Sequence, residues 1–78
     1  MSIPIYALPR NIRQRLERQE WKDSLTFYLL ENKYFTDEEV EIVIEEFLWS
    51  NIDEGGELME EDPVKWWRWY VREVVLDD

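Results

Sequence analysis

The chain contains no cysteine and no histidine among its 78 residues. The first absence excludes disulfides, cysteine-based zinc sites, iron–sulfur clusters and thiol chemistry. The second removes the commonest general base and transition-metal ligand. Glycine is scarce as well, with two residues, adjacent at Gly55 and Gly56. No apolar run approaches the roughly 20 residues that span a bilayer. The segment from Met1 to Tyr6 has neither a charged leader nor an apolar signal core, so a cytoplasmic location is expected, with no membrane partner. A chain this short supports one small domain, residues 1–78, burying about 60% of its unfolded surface.

Aromatic residues, by contrast, are plentiful: they make up 15% of the chain, which carries five tryptophans and is 45% apolar overall. That is too hydrophobic for a disordered segment, and buried aromatics are an efficient way to stabilise a small core. The charge is −10, from 19 acidic and 9 basic side chains. It is also segregated. Residues 1–22 hold Arg10, Arg13, Arg15, Arg18 and Lys22 against Glu17 and Glu20, a net +3, whereas residues 37–62 hold twelve acids and no base. Like charges crowded in this way repel, and they disfavour direct contact with nucleic acid or an anionic membrane. A basic protein surface is the natural complement. The basic head can instead pair with the acidic middle, within one chain or between chains.

Local signals predict an all-α fold, a small three-helix bundle with helices at about 11–33, 37–50 and 63–76. Residues 1–9, with Pro4 and Pro9, read as an extended apolar arm covering an edge of the core. Asn11 and Gln14 form a weak capping box for the first helix. Its apolar residues fall into two stripes, Ile12 and Leu16, then Trp21, Leu25, Tyr28 and Leu29, on nearly opposite sides. Either the helix breaks near Gln19–Ser24 or a single helix, kinked or straight, serves two contacts; the single helix is the expectation. The second helix starts at a capping box, Thr36 with Glu39, with Phe35 and Val40 as a hydrophobic staple. Its core face is Val40, Val43, Ile44, Phe47 and Leu48. Residues 51–62 read as a flexible acidic loop broken by Gly55-Gly56. Asp62 and Pro63 are N-cap and first residue of the third helix, whose core face is Val64, Trp67, Tyr70, Val71, Val74 and Val75.

Three constellations stand out. On the second helix Ile42 and Trp49, seven residues apart, lie away from the core and are flanked by Glu38, Glu45 and Glu46. Apolar anchors in a carboxylate field suit a partner pocket ringed by Lys or Arg. On the third helix Trp69 and Leu76 repeat the seven-residue spacing, with Lys65 and Arg72 within cation–π reach of Trp69 and Trp66 at the border. The third is the loop, which counted from Asn51 places Asp53, Gly56 and Asp62 in a degenerate calcium-loop frame. Its departures are Asn at the first position, Gly at the fifth, and Asp where a bidentate Glu is needed. An acidic, solvated loop accounts for it better.

No catalytic constellation emerges: Ser2, Ser24 and Ser50 have no histidine partner, and a lone Gly-Gly is not a phosphate loop. The expectation is a non-catalytic module that docks on a basic partner, without cofactor or metal. Its acidic surface is Glu38, Glu41, Glu45, Glu46, Asp53, Glu54, Glu57, Glu60 and Glu61, and its apolar anchors are Ile42, Trp49 and Trp69. In size and acidity the chain is similar to small phage-encoded inhibitors of nucleic-acid enzymes, such as anti-restriction, anti-CRISPR and DNA-glycosylase inhibitor proteins. This similarity in bulk properties implies a DNA mimic and transfers no residues. The alternatives are a helical adaptor subunit or homodimer joined through exposed tryptophans, and a single-loop calcium binder.

Overall fold

The computed structural model describes residues 8–75. Most of the expected arm, residues 1–7, and Leu76, the expected end of the last helix, lie outside the described residues, as do residues 77–78. The fold is all-α, with three helices: α1 (Arg10–Glu31), α2 (Asp37–Ser50) and α3 (Pro63–Tyr70), the last running into a π-helical turn (Val71–Val75).

The first helix is continuous. Its core stripe is the second of the two expected: Trp21, Leu25 and Leu29 are buried. Ile12 and Leu16 are exposed. The start of α1 departs from expectation. Pro9 is the N-cap, with no side-chain capping bond, and Gln14 reaches across the molecule instead of back to Asn11. The first turn carries Arg10 and Arg13, the wrong sign for the positive end of a helix dipole. This half of the helix is therefore held from outside, by the segment after α2.

The end of α1 comes two residues before the expected Lys33, because the chain turns out through a Schellman motif. Tyr34 N–H donates to Leu29 O at 3.0 Å and Lys33 N–H to Leu30 O at 3.1 Å. Lys33 sits between them with φ 58°, a left-handed conformation that usually selects glycine.

The capping box of α2 forms as the sequence indicates: Thr36 Oγ1 accepts from Glu39 N–H, and Glu39 Oε1 accepts from Thr36 N–H. Val40, Ile44, Phe47 and Leu48 are buried, and Val43 and Phe35 pack against the same cluster. In α3 Asp62 Oδ1 accepts from Val64 and Lys65 N–H, with Pro63 at the first position. Trp66, expected at the border, is buried beside Trp67. Val74 and Val75, expected in the core, are exposed. The π turn explains the shift: i→i+5 bonding changes the angular step per residue, so the apolar face set up by Trp67 and Tyr70 drifts outward.

Helix α1 packs against both α2 and α3. Aromatic rings join α2 to α3, with the Phe47 ring 5.6 Å from Trp66, 5.6 Å from Trp67 and 5.2 Å from Tyr70. Trp21 closes the cluster from α1, edge-on to Trp66 at 5.4 Å. Each such pair contributes about 0.5–1.5 kcal/mol beyond area burial.

Candidate protein-docking surface

The segment 51–62 is not the flexible loop expected of it. Asn51 is fully buried. Its side chain grips one residue in both directions: Nδ2 donates to Glu60 O at 2.8 Å, and Oδ1 accepts from Glu60 N–H at 2.9 Å. Met59 N–H donates to Asn51 O, and Trp21 Nε1 donates to the same Glu60 carbonyl. Ile52 and Leu58 form an antiparallel bridge. At the tip Asp53 Oδ1 accepts from Gly55 and Glu57 N–H, and Gly56 takes φ 83°. A hairpin results, pinned at its base by Asn51 and at its tip by Asp53.

The basic head of α1 lies on this hairpin. Arg10 and Gln14 donate to Gly55 O and Arg18 to Gly56 O. Glu57 meets Gln14 at 3.0 Å, Arg10 at 3.3 Å and Arg13 at 4.0 Å. The head therefore pairs with the acidic middle inside one chain. The Gly55 carbonyl and Glu57 carboxylate of the hairpin thereby offset the positive charge that Arg10 and Arg13 add to the start of α1.

The nine acidic residues singled out from the sequence consequently divide. Three are engaged within the fold: Asp53 at the hairpin tip, Glu57 under the arginines, and Glu60, whose carboxylate accepts from Asp62 N–H and lies 3.9 Å from Lys65. Glu61 rims a recess of about 360 Å³ together with Glu17 and Glu20 over Trp21. Glu54 is exposed beside the hairpin tip. The remaining four are exposed on α2: Glu38, Glu41, Glu45 and Glu46. Of these, Glu45 is paired with Lys22 of α1 at 2.6 Å.

Helix geometry gathers most of that set. At about 100° per residue, Glu38, Glu45, Glu46 and Trp49 fall within about 60° of Ile42, whereas Glu41 lies at the edge. The buried residues of α2 occupy the opposite side. Ile42 is 71% exposed and Trp49 59% exposed. The Trp49 ring carries the Arg18 guanidinium at 5.5 Å. Arg18 thus joins the ring to the hairpin carbonyl of Gly56 and holds a large exposed aromatic in one orientation, lowering the entropy lost on binding. Sequence reasoning placed the cation–π contact on Trp69 and missed Arg18, since the pair is brought together by α1–α2 packing and not by spacing along one helix.

The third anchor, Trp69, lies elsewhere. It is 46% exposed and lines a groove of about 520 Å³ with Met59, Trp66, Lys65, Arg68 and Arg72. The signal for this basic rim was present in the i, i+3, i+7 spacing of the three bases.

The calcium frame does not come together. Asn51 and Asp53 direct their side-chain oxygens at backbone N–H groups. No group of three acidic side chains placed to hold a metal ion occurs among the described residues. No described helix is long and apolar enough to cross a membrane. Comparison with protein-family models, curated proteins and solved structures finds no match for this chain.

Proposed function

We propose that this chain is a non-catalytic protein-binding module whose α2 outer face docks on a basic surface of a partner protein in the cytoplasm. The observation that carries this reading is the pair Ile42 and Trp49, left 71% and 59% exposed between Glu38, Glu45 and Glu46 on a helix whose opposite face is already buried. The carboxylates attract and orient Lys and Arg of the partner, raising the association rate. Ile42 and Trp49 then fill an apolar pocket and supply affinity that salt does not screen.

The charge density favours a partner built to hold phosphates. Six carboxylates lie between Asp37 and Glu46, over a rise of about 13 Å, or roughly one per 2–3 Å. Duplex DNA presents one charge per about 1.7 Å and a single strand one per about 3.4 Å. In its sharper form the proposal is a DNA-mimic inhibitor of a nucleic-acid-binding enzyme, with α2 as the mimic and Asp53, Glu57 and Glu60 of the hairpin serving the fold.

The test is affinity capture with the wild-type chain and with Glu38→Gln/Glu46→Gln, in low and high salt, with and without duplex DNA. The proposal expects a basic partner whose recovery falls with salt and with the double substitution, and which DNA displaces. A partner retained equally by both chains refutes docking through α2. Loss with the double substitution but indifference to DNA keeps the docking role and removes the mimic.

A further inference from the structure

We infer that the groove beside α3 is a docking site for the acidic face of α2 from a second copy of this chain. The inference rests on the docking role proposed above for α2 and names a surface that it fits. The groove has the chemistry which that face calls for, an apolar floor ringed by cations. Met59, Trp66 and Trp69 line it, and Lys65, Arg68 and Arg72 stand around them, with Lys65 3.9 Å from Glu60 and Arg72 3.1 Å from Glu73 in exposed pairs that an incoming carboxylate can replace. These cations are unusual in a chain of charge −10. From Pro63 to Val75 there are three basic residues and one acidic one, whereas α2 carries six acids and no base.

The dimensions agree as well. Lys65 and Arg72 are seven residues apart, as are Ile42 and Trp49 and also Glu38 and Glu45. Lys65 on α3 and Arg72 in the π turn that continues it span roughly 10 Å, comparable to the two turns of anchors and carboxylates on α2. Ile42 and Trp49 seat against Met59 and Trp69 while Glu38, Glu45 and Glu46 meet the basic rim. The two surfaces cannot meet within one molecule. The groove lies between α3, the end of α2 and the hairpin, lined there by Ser50, Asn51 and Glu60, whereas Glu45 and Trp49 on the outer face of α2 meet Lys22 and Arg18 of α1. The contact pairs unlike patches on two copies, as a reciprocal dimer or as a chain. Net repulsion between copies does not forbid it, because at about 0.15 M salt the screening length is about 8 Å and contact pairs outweigh distant charges.

The experiment measures solution mass by sedimentation over a wide concentration range at that salt, with thermal melts to establish that each variant folds. Wild type is expected to associate reversibly. Glu38→Lys/Glu46→Lys on α2 and Arg68→Glu/Arg72→Glu on α3 are each expected to weaken association at least about tenfold. Trp69→Ala should weaken it without changing charge. Mixing the two charge-reversed variants should restore a complex, since each keeps the surface the other lacks and the reversed surfaces also complement each other. A wild type that stays monomeric, an α3 variant that associates like wild type, or a mixture that stays monomeric overturns the inference. Capture of a basic partner separates this from failure of the proposed function. If the α3 variant still captures that partner and the α2 variant does not, docking through α2 stands whatever the mass measurements show.

Discussion

Replacing Asn51 with alanine should cost more stability than any single surface change in this protein. The side chain is fully buried and makes two hydrogen bonds, at 2.8 and 2.9 Å, both to the backbone of Glu60. Alanine removes both. Glu60 O keeps the Trp21 indole N–H, but Glu60 N–H loses its partner. A neutral hydrogen bond is worth about 1 kcal/mol net, and an orphaned buried donor costs about 1–3 kcal/mol, so the substitution should destabilise by about 2–4 kcal/mol. For a chain of this size that lowers the melting temperature by about 10–25 °C. Urea unfolding followed by tryptophan fluorescence should show a lower midpoint with an unchanged slope. Asn51→Asp separates hydrogen bonding from shape. A protonated aspartic acid can donate to Glu60 O and accept from Glu60 N–H, as asparagine does, whereas the carboxylate cannot donate. Burial raises the folded-state pKa of this carboxyl above its unfolded value of about 3.9. The protonated clamp then contributes fully below about pH 4 and is lost as the pH rises through the raised pKa. The deficit relative to wild type should therefore be largest at neutral pH and narrow towards pH 4. An Asn51→Ala variant within about 0.5 kcal/mol of wild type, or an Asn51→Asp deficit that ignores pH, would refute the clamp as the fastening of the hairpin.

Five further substitutions have expected outcomes. Gly56→Ala should destabilise by about 1–2 kcal/mol, because φ is +83° and a Cβ would lie 2.8 Å from the Arg18 guanidinium; Gly55→Ala, whose Cβ would lie 3.3 Å from the exposed Arg10 guanidinium and 3.4 Å from Asp53 Oδ1 with no positive φ, should cost less than about 0.5 kcal/mol by the same urea titration. Lys33→Gly should stabilise by up to about 1 kcal/mol in thermal melts, since it relieves the left-handed strain at the end of α1. Thr36→Ala should cost about 1 kcal/mol in the same melts by removing the α2 cap. Arg18→Met, which keeps the aliphatic stem but no cation, should red-shift Trp49 fluorescence and loosen its ring, with little change in helix content by circular dichroism.

Helix positions were legible where the signal was local. Thr36 with Glu39 and Asp62 with Pro63 each need a few consecutive residues, and both starts fall where those residues place them. The core faces of Trp21, Leu25 and Leu29 and of Val40, Ile44, Phe47 and Leu48 followed from the 3.6-residue period, whereas the two opposed stripes of α1 left its continuity open between a break and a single helix. Long-range features stayed hidden. Nothing in the spacing of Asn51 and Glu60 announces a reciprocal clamp nine residues apart, and a Gly-Gly pair flanked by acids looks flexible until the arginines of another helix are laid across it. Lys33 in a glycine conformation carries no local sign. Val74 and Val75 continue the apolar period on paper, but the switch to a π turn turns them outward. At the candidate site, the anchors Ile42 and Trp49 were readable from amphipathicity, whereas the division of the acids into inward and outward groups depends on the hairpin.

That hairpin also determines how the molecule opens. The first half of α1 lies on the hairpin through Arg10, Gln14 and Arg18, spaced four residues apart along one side of the helix, while its second half is fastened by Trp21, Leu25 and Leu29. Amide protons in the early turns of α1 and at the hairpin tip should therefore exchange together as one subglobal unit, at a lower opening free energy than the aromatic centre. Arg18 connects this unit to the Trp49 ring, so each opening also releases the single tryptophan of α2.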